Sequence, residues 1–314
     1  MANAQLTSDS KIRRNRCAFD RLSGLGRFML RSLMLTGAAL VSAASMAMAY
    51  DIKPKTPDTA FSGKLRPDII GISSSDDAAK VGGTFEAYLK DFPNAKPQAT
   101  QQKFGSTGVT YATFMRFDAP ASKDHGAESM EVHFTSPASG NFAYYIARDL
   151  GFAKDKQPTQ QEMIQRVTDK YGKPTAIGDG RLYYFYKGGK TVSVKQKYTP
   201  EGAVTALNDP ISPKAAVALN DSNGRGSCVA VLKHVQAEPE KSLDQLAKDA
   251  KNANCDALLD IALSSGSAKD RVGKAVFTLI DFKRIASAAK IDNEALAAEK
   301  NAPQKASSGG SPKL

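Results

Sequence analysis

Apolar and polar positions recur with two different periods along this chain, and the change of period is clearest in the stretch 159–186, TQQEMIQRVTDKYGKPTAIGDGRLYYFY. Met163, Ile164, Val167 and Tyr171 fall at helical spacing and mark one apolar face. Thr159 stands where an N-cap is needed, and Glu162 three residues on completes a capping box. Gly172 can turn left-handed and Pro174 cannot continue a helix, so the helix stops there. The aromatic crowding of 181–186 suits a pleated strand, because aromatic side chains lose χ1 freedom in a helix. Gly188-Gly189 then separates RLYYFYK from KTVSVKQKY, a two-residue hairpin signal.

The same reading extends in both directions. Residues 68–72 form a short apolar run that predicts a strand, and Ser74 with Asp77 signals a helix start. Ala78, Val81, Phe85, Leu89 and Phe92 give that helix its face, and Pro93 ends it. Gly82 and Gly83 inside it cost about 1 kcal/mol each against Ala, so packing or a close backbone neighbour must hold the helix. A polar connection over 94–108 leads to three strands at 109–117, 129–135 and 142–149, the first two alternating with period two. The third also fits a helix; its aromatic and β-branched content favours a strand.

Residues 199–226 are rich in Pro, Asn, Asp, Gly and Ser and read as a linker or a long insertion. Beyond them the pattern predicts a strand at 228–235 and a helix opened by Ser242 and Gln245, with Leu243, Leu246, Ala247 and Ala250 on its apolar face. Strands at 257–263 and 272–282 and an Ala-rich helix at 285–299 complete the order. Helices that begin at caps and lead into strands imply an α+β protein, with mainly antiparallel sheets, helices on one face and two subdomains. The resulting division is a signal peptide at 1–49, an extended lead-in at 50–66 and an α+β domain at 67–198. After the linker at 199–226 come a disulfide-containing α+β subdomain at 227–299 and a disordered tail at 300–314.

The first 49 residues change the picture of where the chain works. Seven Lys and Arg residues precede an apolar run that ends at Ala47-Met48-Ala49, the order a cleaved secretory leader requires. Periplasmic or secreted localisation follows, with no membrane span after cleavage. The net charge of +11 belongs partly to the leader: it holds 7 of the 43 basic and 2 of the 32 acidic residues, leaving 36 against 30. Nucleic acid is a poor partner for an exported chain so mildly basic; an envelope protein or an anionic envelope polymer suits it better.

Cleavage after Ala49 removes Cys17 and leaves Cys228 and Cys255, which in an oxidising compartment pair most simply as a disulfide. Closing that loop stabilises the fold by roughly 3 kcal/mol in the chain-entropy picture. Asp124, His125, Glu128, Glu131 and His133 are the one group of metal-ligating residue types close together in sequence, and a strand would put Glu131 and His133 on one face. The turn residues among them need no function, so the leading expectation is a solvated sheet face, with no metal and no cofactor. Arg181, Tyr183, Tyr184, Tyr186 and Lys187 combine aromatic faces with cations and could hold an anionic glycan or a small anionic ligand. No nucleophile motif of the Gly-x-Ser-x-Gly kind is present, and no catalytic residue is assigned.

Two segments carry a resemblance. Gly71 with Ser74 and Asp77, and the Thr159-x-x-Glu162 helix that ends at Gly172 and Pro174, resemble the helix-opening and helix-closing positions of the SmpA/BamE lipoprotein family of small envelope domains. That family's lipidated cysteine has no counterpart here. The resemblance implies a non-catalytic envelope-binding or scaffolding role and transfers no functional residue. The function expected from the sequence is an exported, non-catalytic protein that binds a partner protein or an envelope component. The alternatives are a metal-assisted hydrolase and a glycan or small anionic ligand-binding module.

Overall fold

The computed structural model describes residues 52–61, 63, 65–178, 180–192, 198–199, 202–203, 205–206, 228–237, 242–251, 253 and 255–301. The leader, most of the linker and residues 302–314 of the tail lie outside the described residues, while Lys300 and Asn301 belong to the last helix.

The elements run in chain order as α1 (Ala78–Tyr88), β1 (Gln98–Lys103), β2 (Thr110–Ala119), β3 (Glu128–Phe134), β4 (Ala143–Gly151), α2 (Gln160–Tyr171), β5 (Ala176–Gly178), β6 (Arg181–Lys187) and β7 (Lys190–Thr191). Then follow β8 (Tyr198–Thr199), β9 (Gly202–Ala203), β10 (Thr205–Ala206), α3 (Cys228–Ala237), α4 (Leu243–Ala250), β11 (Ala257–Ser265), β12 (Val272–Asp281) and α5 (Phe282–Asn301). One antiparallel sheet orders its strands β1-β2-β3-β4-β12-β11-β6-β5-β10, with β7 beside β6, while β8 and β9 pair separately. The α+β class expected from the sequence is the class observed.

The C-terminal strands enter the middle of this sheet. β12 pairs with β4 from Lys274↔Gly151 to Ile280↔Tyr145, and β11 pairs with β6 from Ala257↔Tyr186 to Ala262↔Arg181. The stretches 67–198 and 227–299, expected to be two subdomains, therefore share one sheet. Its long strands supply apolar residues to both sides, so helices cover both faces instead of one. Val81 and Phe85 of α1 and Met163 and Val167 of α2 pack with Phe117, Val132, Ile146 and Leu259 on the first face. Val231 and Leu232 of α3, Leu246 of α4 and Ile285 of α5 pack with Tyr183, Phe185, Leu258 and Ile280 on the second.

Local chemistry explains most element ends. The capping boxes Thr159/Glu162 and Ser242/Gln245 form at the starts of α2 and α4. Gly172, at φ 81°, ends α2, and Tyr184 Oη donates to its carbonyl at 2.9 Å. Gly188 and Gly189, at φ 58° and 72°, make the tight turn between β6 and β7.

Four expectations are corrected. The cap of α1 is Asp77, whose side chain accepts from Lys80 N, while Ser74 Oγ donates to Asp281 instead. The run 68–72 is a tight turn closed by Ile69 and Ile72, because Gly71 at φ 83° bends the chain. The polar connection contains the edge strand β1, exposed along its whole length and thus without apolar alternation. The stretch 228–235 is helical: its buried positions Cys228, Val231, Leu232 and Val235 follow helical spacing despite three β-branched valines. The predicted disulfide joins Cys228 at the head of α3 to Cys255 just before β11, with the Cα atoms 6.1 Å apart.

The lead-in is extended, and its Ala60 and Phe61 pack into the first-face core. Lys55 N donates to Ala138 O at 2.8 Å and Asp58 N to Ser287 Oγ at 3.0 Å. Thr59 Oγ1 donates to the buried Asp281 carboxylate at 2.6 Å, and Phe61 sets its ring edge-on to Tyr186.

Candidate functional site

Strand alternation sends Met115, Phe117, Met130 and Val132 into the first-face core, so their neighbours Phe114, Arg116, Glu131 and His133 emerge on the second face. Register assembles them: Phe114 stands opposite His133, Arg116 opposite Glu131, and His133 opposite Tyr145 of β4. The helices of this face cover β6, β11, part of β12 and the start of β4, where Tyr144 and Tyr145 are buried, and among the described residues the floor over β1–β3 and the rest of β4 stays open.

The result is a groove made of three adjoining hollows of about 580, 280 and 190 Å³, all lined in part by Glu131. The smallest and deepest is walled by His133, Tyr144 and Tyr145 from the sheet, Val235 and Gln236 from α3, and Leu246 from α4. The largest opens toward β1, with Tyr111, Thr113 and Phe114 on its floor and Ser242, Leu243 and Asp292 on its helical side. The disulfide anchors the first turn of α3, and the last turn of that helix brings Val235 and Gln236 over the floor.

Carboxylates dominate the polar lining. Arg116 is engaged by Asp118, with Nε donating to Oδ2 at 3.0 Å, and Asp149 pairs with Lys274. Asp292 accepts from Ser136 Oγ at 2.6 Å, and its burial raises its carboxyl above the usual range. Among the described residues the one basic group within 4 Å of the Glu131 carboxylate is an imidazole, His133 Nε2 at 3.9 Å. That nitrogen is buried and has no hydrogen-bond partner among the described residues. The Tyr145 phenol is raised first by burial and then by the Glu131 charge, and Glu131 and Gln236 line the hollow beside it. Gln236 Nε2 in turn donates to Thr278 Oγ1 at 3.3 Å.

Aromatic rings complete the walls. The His133 ring lies 4.8 Å from Phe114, 5.2 Å edge-on to Tyr145 and 6.1 Å from Tyr144. Tyr111 is raised to about 12, first by burial and then by the charge of Asp292. Apolar and aromatic walls with a few converging polar groups have the make-up of small-ligand sites.

The five residues considered as metal ligands are not brought together. Glu128 points to the first face, where it accepts from Arg148 Nε at 2.8 Å and Tyr88 Oη at 2.9 Å. His125 packs its ring on Phe92, and Asp124 pairs with Lys156 in the β2–β3 turn. At about 3.3 Å per residue, that end of β3 is roughly 17 Å from His133. Among the described residues no group of three or more His, Cys, Asp or Glu could hold a metal ion. Only the Glu131 and His133 pair persists, on one face as strand alternation required.

The β6 aromatics are core, not surface. Tyr183, Tyr184 and Tyr186 are 1%, 1% and 2% exposed, because β6 is covered on both faces. Arg181 Nη1 is bound to the buried Asp260 at 2.6 Å, and of the five candidates only Lys187 is exposed. No bindable aromatic face remains there.

Arg116, Phe114, Tyr145, Gln236 and Thr278 escaped the sequence reading. The signal available was the alternation of β2 and β3; what it lacked was the register that puts Arg116 across from Glu131. Comparison with protein-family models, curated proteins and solved structures found no match for this chain.

Proposed function

We propose that this chain is an exported, non-catalytic protein that binds a partner protein or a component of the cell envelope, and that the groove around Glu131 is its binding surface. The carrying observation is the groove itself: aromatic walls, and, among the described residues, a glutamate side chain without a Lys or Arg partner and an imidazole nitrogen left unpaired at its base. Its size falls in the range of small-ligand sites. The cleavable leader and the bridged cysteine pair support a place outside the cytoplasm, and the likeness of the α1 and α2 segments to SmpA/BamE domains supports an envelope role. Among the described residues no helix is long and apolar enough to cross a membrane.

A photo-crosslinking amino acid placed in the native envelope tests this reading. At Thr113, on the groove floor, it forms a discrete adduct; at Gln165, exposed on α2 over the opposite face, it forms none. Adducts from Gln165 alone, or from neither position, overturn the assignment of the binding surface.

A further inference from the structure

We propose that the hollow around Glu131 is built for a ligand that presents an ammonium group on a short apolar stem. This deepens the reading of the groove as a binding surface and rests on it.

Three observations converge. The first is unmatched charge. Arg116 is the residue across the ladder from Glu131, yet its guanidinium is held by Asp118, and Asp149 is matched by Lys274. An anionic ligand would meet Glu131, Asp118 and Asp149 with the one lining guanidinium already engaged. A cation meets an open carboxylate.

The second is the shape of the polar contacts. Glu131 accepts hydrogen bonds, and the same hollow is lined by Tyr145 and by Gln236, whose Nε2 donates to Thr278 Oγ1. His133 Nε2, 3.9 Å away, is buried and unpaired, and in the tautomer protonated at Nδ1 it too accepts. A primary ammonium has three donors and no acceptor, and so serves both atoms at once.

The third is the wall. Phe114, Tyr144 and Tyr145 ring the His133 position, and aromatic faces attract cations through their quadrupoles. The inner hollow of about 190 Å³ takes a head group and little more, while the outer hollow of about 580 Å³ receives the stem and whatever carries it. A free alkylamine and a lysine side chain of a polypeptide share this chemistry.

The test is a titration of the oxidised mature chain followed by amide shifts, with n-butylammonium chloride, Nα-acetyl-lysine amide and sodium butyrate as probes. Both ammonium probes should give saturable shifts centred on Glu131, His133 and Tyr145, and butyrate none. Glu131→Gln keeps the length and an acceptor oxygen of the side chain while removing its charge, and should weaken the ammonium probes about tenfold. Phe114→Leu leaves the charge unchanged and should weaken them about threefold through the lost aromatic face. Tighter binding of acetyl-lysine amide assigns the ligand to a polypeptide; tighter binding of butylammonium assigns it to a free amine. Preference for butyrate, or equal binding to Glu131→Gln, overturns the ammonium proposal while the crosslink at Thr113 still stands for the groove. Absence of groove shifts with every probe overturns the ammonium proposal, and absence of the crosslink as well removes the binding surface itself.

Discussion

Arg116 and Glu131 are direct partners in the β2–β3 ladder, with side chains on the same face, yet the guanidinium of Arg116 bonds Asp118 two residues along its own strand. The diversion decides the electrostatics of the groove, because among the described residues it leaves Glu131 within ion-pair distance of an imidazole alone. Asp118→Asn should release Arg116 toward Glu131. A rim pair of this exposure is worth about 0.5 kcal/mol in stability, so the thermal midpoint should barely move. The amide shifts of Glu131 and His133 should move, and a spectrum that stays unchanged there would contradict the proposed diversion.

The disulfide holds the wall of the groove. Reducing Cys228–Cys255, or replacing both cysteines by Ser, should cost about 3 kcal/mol of global stability for a loop of this length. The local effect is the more diagnostic one. Amides of Val229–Gln236 should exchange faster on reduction, whereas those of α2 on the opposite face should change only through the global term.

Gly82 and Gly83 sit inside α1 at negative φ, and a Cβ at Gly83 would meet nothing within 4 Å. The helix therefore persists through the packing of Val81 and Phe85 on Phe117, and the glycines serve no close backbone approach. Gly83→Ala should stabilise by about 0.5–1 kcal/mol. Gly126 is the opposite case: its Cβ would fall 2.3 Å from the Gly151 carbonyl carbon, so Gly126→Ala should destabilise by about 1–3 kcal/mol. Denaturant midpoints of the two variants should move in opposite directions.

Asp260 is 2% exposed, and burial pushes its carboxyl up to about 6 although Arg181 lies 2.6 Å away. Its unfolded value is near 3.9. A carboxyl raised on folding contributes stability that is full below the unfolded value and is lost as pH rises through the folded one. Wild type should therefore lose about 2 kcal/mol relative to Asp260→Asn between pH 4 and pH 8, since the amide keeps an acceptor for Arg181 without titrating. Parallel pH profiles of the two proteins would contradict this.

The buried carboxylate of Asp281 gathers Thr59 Oγ1 at 2.6 Å, Ala60 N at 3.2 Å and Ser74 Oγ at 3.1 Å, tying the lead-in to the end of β12. Removing one donor leaves that acceptor poorly satisfied. Thr59→Val should cost about 1–2 kcal/mol, and urea unfolding should show it as a lowered midpoint without a changed slope.

Elements with local chemistry of their own were legible in the sequence. The capping boxes at Thr159 and Ser242, the Gly188-Gly189 turn and the alternation of β3 each need only neighbours in the chain, while that of β2 holds from Phe114 onward and is broken at Thr113 by a register shift against β1. What stayed hidden depends on distant partners. Valines 229, 231 and 235 favour a strand until the second face of the sheet offers α3 a surface to cover. β1 carries no apolar alternation because it is an exposed edge. The aromatics of β6 read as a binding surface because nothing local reveals that β11 places this strand inside the sheet, where packed elements cover both of its faces. In the groove, Glu131 and His133 could be placed together, whereas Arg116, Tyr145 and Gln236 arrive through register and through the path of α3.

The central claim is that the groove is an occupied binding surface, and native mass spectrometry of the protein isolated from its own envelope tests it most directly. Wild type should carry a discrete adduct above the mass of the oxidised chain, and Ser129→Trp, which fills the middle hollow, should carry none. A bare wild-type chain, or the same adduct on Ser129→Trp, would contradict the account.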